Sequence, residues 1–133
     1  MVKAVEYNFY GQTVWLFYSV GAMLEVSEKH GDVTELIQKM DVTSAEGRDI
    51  VISAFCLLAR AGASCARHFS EAESFEPSEA DVRECSTLKD LAAMRDAVIN
   101  AVCIGVGRDV PDANGVDLDL LEFEKENNQK KTR

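Results

Sequence analysis

The side chains most able to do chemistry in this sequence are four cysteines and two histidines. A nucleophilic cysteine needs a nearby base or a helix N-terminus to lower its pKa, and a histidine can transfer protons near neutral pH. Cys56 and Cys65 lie nine residues apart on a predicted helix and so point to opposite sides of it. The other members of this set are Cys85, Cys103, His30 and His68.

The spacing within this set does not match a catalytic or metal site. The sequence has no C-x-x-C pair and no closely spaced pair of histidines, so we expect no metal ion. His30 precedes Gly31 at a predicted helix end and His68 lies near the end of a long helix, so we expect capping or surface roles for them. The cysteines are interpreted as small buried hydrophobic residues, with Cys85 the least constrained. We therefore predict a protein that is not an enzyme and needs no cofactor.

An acidic segment follows the longest predicted helix. Residues 71–90 contain seven acids against two basic residues. A calcium loop would need closely alternating oxygen ligands around a turn glycine, and this segment lacks that pattern. Two interpretations stay open: a solvated face, or an electrostatic docking surface for a basic helical partner. The candidate contacts in this segment are Phe75, Glu76 and Glu79.

The overall composition fits one domain of moderate size and excludes several classes of partner. The chain has 133 residues, and 23 acids against 14 Lys and Arg give a net charge of −9. Binding of nucleic acid through a basic face is therefore not expected. The sequence shows no leader pattern and no apolar run near the roughly 18 residues of a spanning helix. We expect a cytoplasmic protein without a membrane segment.

The N-terminal residues predict a β-hairpin at about 2–18. Apolar and polar residues alternate along residues 5–10, and the side chains of residues 13–18 alternate between the two faces of a second strand. The two strands meet at Gly11. The second strand is apolar on both faces, so either helices cover both faces or one face is a contact site. Its open edges could also pair with another copy. The candidate contacts in the hairpin are Tyr7, Tyr10, Trp15, Leu16 and Tyr18.

The rest of the chain predicts four to five helices between about 20 and 106. Four of the helix starts, all except the first, show a capping-box spacing, a short polar residue followed three positions later by an acid. The longest helix, at about 44–69, is apolar nearly all round and should be central, with Gly62 permitting close approach of a neighbour. We thus predict an α+β, mainly α fold in which the hairpin packs on a small helical bundle. A single domain should span 1–107, followed by a flexible polar tail at 108–133. The capping pairs are Asp32 with Glu35, Thr43 with Glu46, Ser78 with Asp81, and Thr87 with Asp90.

The order of these elements resembles a known family. The stretch TVWLFYSVGAMLEVSEKHGDVTELI, a strand followed by a helix with Ala22, Leu24, Glu25, Glu28 and a closing glycine, resembles the start of the tail assembly chaperones of long-tailed bacteriophages and prophages. The later segments DIVISAFCLLARAG, PSEADV and DLAAMRDAVINAV occur in the same order as in that family. The resemblance covers about residues 5–107.

The resemblance implies an assembly role without catalysis. Proteins of this family bind the long helical tape measure protein, keep it soluble and help tail tube protein assemble around it. They commonly self-associate, so a homo-oligomer is expected. Many are made in two lengths by a programmed ribosomal frameshift.

The residues leave two other functions open. One is an acidic binding or regulatory protein of a mobile element, for example a DNA-mimicking inhibitor, which would spread acids at phosphate-like spacing. The other is a small thiol-dependent enzyme, which would need a cysteine within reach of a histidine.

Overall fold

The computed structural model describes residues 3–69 and 74–107. Within them the chain has the predicted α+β, mainly α architecture: a two-stranded antiparallel hairpin followed by five helices. The predicted polar tail at 108–133 lies outside the described residues, so the division into domain and tail stays a prediction. The strands are β1 (Val5–Phe9) and β2 (Gln12–Leu16), and the helices are α1 (Val20–His30), α2 (Val33–Lys39), α3 (Ala45–Phe69), α4 (Glu79–Cys85) and α5 (Leu88–Gly105).

The hairpin turns through two residues, Tyr10 and Gly11. Both have positive φ, 52° and 86°, which is the backbone of a type I′ turn and matches the twist of the strands. The turn amide of Gly11 donates a hydrogen bond of 2.7 Å to the side chain of Asn8. The predicted meeting of the strands at Gly11 is therefore confirmed.

The second strand is shorter than the predicted one. It ends at Leu16 because the amide of Phe17 donates to the carbonyl oxygen of Leu58 in α3, at 3.1 Å, and leaves the hairpin ladder. The chain thus passes directly from the sheet onto the central helix before α1 begins.

Three of the four predicted capping boxes are present. Asp32, Ser78 and Thr87 each accept from a main-chain amide three residues later, and the acid at that position bonds back. The fourth was wrong by one residue. Ser44 accepts from the amide of Gly47 at 2.9 Å, whereas Thr43 donates to the carboxylate of Asp41.

Helix α3 is the centre of the core, as predicted. Its residues Val51, Phe55 and Leu58 are fully buried, and the hairpin, α1, α4 and α5 all pack against it. The closest approach is at Gly62, where an added Cβ would lie 1.8 Å from the carbonyl oxygen of Trp15 in β2. Only glycine fits there because the neighbour is main chain, which cannot rotate away.

The apolar character of α3 follows from this central position. By length and composition the helix would suffice to cross a membrane, with a mean hydropathy of 1.5 over an 18-residue window. The prediction that no apolar run approaches the length of a spanning helix was therefore wrong. Of that window, 56% is buried inside the domain. A core helix surrounded by other elements needs the same composition as a spanning helix.

We predict that Gly62→Ala is strongly destabilising and that Gly21→Ala is not. The first substitution forces β2 away from α3, so the free energy of unfolding should fall by about 3 kcal/mol or more. At Gly21, in α1, an added Cβ would meet only the Ser19 hydroxyl oxygen at 3.8 Å. That variant should gain up to about 1 kcal/mol from helix propensity. Urea unfolding followed by circular dichroism measures both, and similar stability of the two variants would contradict the packing described.

Candidate protein-binding surface

The two faces of the hairpin have different surroundings. On one face Val14 and Leu16 are fully buried, and the Tyr7 ring packs edge-on against Phe55 with 5.2 Å between ring centroids. Burial is the main reason that the pKa of Tyr7 is raised. The helices therefore cover this face.

The opposite face is only partly covered. It carries Glu6 and Asn8 from β1, which are exposed, and Thr13 and Trp15 from β2, which are half-buried. The indole nitrogen of Trp15 is inaccessible to solvent and has no hydrogen-bond partner within residues 3–69 and 74–107. Trp15 also lines an open groove of about 890 Å³ between β2 and the end of α3.

Leu16 and Tyr18 do not belong to a surface. Leu16 is fully buried and Tyr18 is 3% exposed. Tyr18 lies against the end of α5, where a Cβ added at Gly105 would be 2.6 Å from the Tyr18 Cβ. Burial raises the pKa of Tyr18 accordingly. The structure removes both residues from the predicted contact set, because the apolar strand continues into the core beyond the hairpin.

Tyr10 is the most exposed aromatic residue of the predicted contact set, at 60%. Its hydroxyl contacts the carbonyl oxygen of Cys85 at the end of α4 and lies 2.9 Å from the Asp90 carboxylate in α5. The hydrogen bond to Asp90 is the main cause of the raised pKa of Tyr10. The pKa of Asp90 is lowered, first by the Thr87 amide and then by Tyr10. The hydroxyl thus fixes the hairpin turn to two helices and leaves the ring in solvent.

Phe75 lies beside this turn. Its amide donates to the carbonyl oxygen of Thr13 at 2.7 Å, so the segment before α4 runs along the outer edge of β2. Its ring stacks on Phe9, with centroids 6.0 Å apart and planes 17° apart. This contact brings the acidic segment next to the hairpin turn.

These residues form a shallow cavity of about 450 Å³, which we call the tip groove. Aromatic rings form one side, and α4 supplies a carboxylate and a cysteine on the other. The tip groove is lined by Phe9, Tyr10, Gln12, Phe75, Asp81 and Cys85.

The charge around the tip groove is predominantly negative. Glu76 is 3.9 Å from Arg67 in an exposed pair, which contributes little. Arg83 is turned away from the groove acids and pairs with Asp49 of α3 at 2.9 Å. Glu79 and Glu84 are exposed, and within the part of the chain that the structure describes they have no ion pair.

The predicted contact residues are therefore only partly brought together. Tyr10 and Phe75 line the tip groove, and Glu79 begins the helix beside it, whereas Tyr7 and Trp15 lie on opposite faces of the hairpin. Sequence reasoning missed Asp81 as a groove residue, although it identified it as a cap. No local signal indicates that Tyr10 and Cys85, 75 positions apart, are neighbours.

The cysteines and histidines have different surroundings, and neither histidine has a cysteine as its hydrogen-bond partner among the described residues. Burial raises the pKa of Cys56 to about 12, and Cys85 is exposed. His30 is half-buried against the Ser53 hydroxyl at 3.2 Å, and burial lowers its pKa. His68 bonds the Ser64 carbonyl oxygen on its own helix at 2.8 Å. Among residues 3–69 and 74–107 no group of three or more His, Cys, Asp or Glu could hold a metal ion.

Comparison with family models, with curated proteins and with solved structures found no match to this chain.

Removing the Tyr10 hydroxyl should loosen the contact between the hairpin and the two helices. We expect Tyr10→Phe to lower Tm, because the contacts of the hydroxyl with Cys85 and Asp90 are lost. Tyr7→Phe is the control, since the Tyr7 hydroxyl makes no hydrogen bond within the described residues. Equal thermal unfolding curves for the two variants would exclude the role given to Tyr10.

The cysteines should differ in reactivity because the thiolate is the reacting species. At pH 8 we expect an aromatic disulfide reagent to modify Cys85 in an early phase and Cys56 only after unfolding. Cys85→Ser should remove the early phase, and Cys56→Ser should leave it intact. An early phase of full amplitude in Cys85→Ser would show that Cys85 is not the thiol that reacts in the folded protein.

Proposed function

We propose that this protein is a tail assembly chaperone of a long-tailed bacteriophage or prophage. It acts in the bacterial cytoplasm, without catalysis, by binding the tape measure protein, keeping it soluble and promoting assembly of the tail tube protein around it. The proposed family rests on the resemblance of residues 5–107 to tail assembly chaperones. The tip groove, an aromatic surface beside unpaired acids, supplies the observation that supports a protein-binding role.

The tip groove has the chemistry needed to hold an amphipathic helix with basic residues. The rings of Tyr10 and Phe75 in the groove offer apolar contact area. Glu79 and Glu84 are not part of the groove lining; they are exposed acids of the adjoining helix α4 and have no ion pair within the described residues. Complementary charge accelerates association and selects the partner, while apolar contact supplies affinity. A long helical protein with basic positions beside its apolar stripe would fit this arrangement.

The aromatic side chains are already held in place before a partner binds. Tyr10 is held by its hydroxyl, and Phe75 by its amide and by stacking on Phe9. A fixed ring loses little conformational freedom on binding, which favours affinity from a small surface. The tip groove is nevertheless small, so each copy should bind weakly and many copies should act together.

The net charge of −9 suits a protein that must keep an aggregating partner in solution. A bound copy covers an apolar stripe of the partner and presents a negatively charged exterior. Coated chains then repel one another, which opposes aggregation.

We expect the chain to increase the soluble yield of the tape measure protein when the two are co-expressed, and to co-purify with it. Glu79→Lys combined with Glu84→Lys should reduce the co-purified amount at least about tenfold, because two attractive charges become repulsive. The matched control combines Glu28→Lys with Glu46→Lys, which makes the same charge change at exposed helical positions away from the tip groove.

Three outcomes are decisive. Loss of binding in the first double variant and retention in the second support both the function and the site. Equal loss of binding in both variants would show that net charge alone causes the loss, and would exclude the tip groove as the binding site. No change in solubility or binding with the unaltered chain would reject the chaperone function itself.

A further inference from the structure

The hairpin has two edges, and the described residues of its own chain occupy only one of them. Along β2, the Thr13 carbonyl oxygen accepts from the Phe75 amide at 2.7 Å, and the Trp15 amide donates to the Ser74 hydroxyl at 3.2 Å. The Phe17 amide, just past the strand, is bonded to α3. The segment before α4 therefore shields this edge.

In the part of the chain that the structure describes, no segment covers the edge of β1 in this way. A two-residue turn is closed by a hydrogen-bonded pair, here Phe9 with Gln12, and the bonded pairs then alternate along the strands. The amides and carbonyls of Glu6 and Asn8 consequently point away from β2. Within residues 3–69 and 74–107 these four groups have no hydrogen-bond partner, and both residues are exposed.

The sequence of β1 has few of the features that protect an open edge. Natural edge strands are blocked by proline, lysine, bulges or inward charges. The strand VEYNF has none of these and carries one charge, on Glu6. Val5 and Tyr7 point towards the core yet are only partly buried. An additional strand would cover them.

We propose that β1 pairs antiparallel with β1 of a second copy, about a twofold axis at Tyr7. The result is a continuous four-stranded sheet in the order β2, β1, β1, β2. Glu6 of each copy lies opposite Asn8 of the other, and the four free main-chain groups per copy make four hydrogen bonds across the axis. The pairing is isologous, since each copy contributes the same strand.

The side chains of β1 favour this register. It places Val5 opposite Phe9 and Tyr7 opposite Tyr7 on the core face, where apolar and aromatic pairs stabilise a sheet. On the outer face it places Glu6 opposite Asn8. A shift that puts Glu6 opposite Glu6 would set like charges against each other, which is unfavourable.

This inference goes beyond the proposed function, because it uses main-chain groups of β1 and no residue of the tip groove beyond Phe9. The charge of −9 on each copy opposes association, so the dimer should tighten as salt screens the repulsion.

Sedimentation equilibrium of the full chain over a range of concentrations and salt tests the proposal. Glu6→Pro removes one outward amide per copy, and proline is tolerated on an edge strand whose amide faces solvent. We expect this variant to dimerise about 10-fold more weakly or worse. The control Glu6→Gln removes the charge and keeps the amide, so it should dimerise at least as well as the unaltered chain.

Hydrogen exchange by NMR on the unaltered chain decides the question even if Glu6→Pro does not fold. The amides of Glu6 and Asn8 should exchange more slowly as protein concentration rises. A chain that stays monomeric up to about 1 mM overturns the proposal, since the interaction would then be weaker than about −4 kcal/mol. A dimer in which these two amides stay unprotected also overturns it. Neither outcome bears on binding of the tape measure protein.

Discussion

The close contact between β2 and α3 at Gly62 is the constraint on which the remaining structure depends. The main chain of Trp15 lies where any side chain at position 62 would be, and the Phe17 amide is bonded to α3 one turn earlier. The hairpin therefore has one position and one orientation on the central helix. This placement determines which edge of the hairpin is covered, which edge is left open within the described residues, and where the turn lies.

The placement of the hairpin in turn positions the acidic segment. The edge of β2 accepts the Phe75 amide, and the turn residue Tyr10 reaches the end of α4 and the start of α5. The hairpin turn is thereby joined to two consecutive helices that are distant from it in sequence. The tip groove arises at that junction, and the free edge of β1 lies along the neighbouring side of the hairpin.

Local signals in the sequence predicted most of the fold. Some features of the fold depend only on residue type and on neighbours in sequence, because glycine alone tolerates certain backbone positions and a cap bonds three residues ahead. They are the turn at Gly11, the glycine at 62 and the caps at Asp32, Ser78 and Thr87. The cap of α3 is Ser44 and not the predicted Thr43, because two adjacent hydroxyls compete for one helix end. Sequence patterns fix such a helix end only to within one or two residues.

The candidate surface was less predictable for physical reasons. A strand that is apolar on both faces does not reveal which face is buried, so Leu16 and Tyr18 could not be told from Trp15. The contact of Tyr10 with Asp90 joins residues 80 positions apart, and no periodicity indicates it. Sequence reasoning identified Tyr10, Phe75 and Glu79, and only the packing of β2 on α3 shows them at one end of the molecule.

Hydrogen exchange of the full chain, alone and in complex with the tape measure protein, tests the central claim most directly. The account predicts slower exchange on binding at residues 9–12 and 75–85, with little change along α1 and α2. Protection that is absent from those two segments and concentrated on α1 and α2 would contradict it.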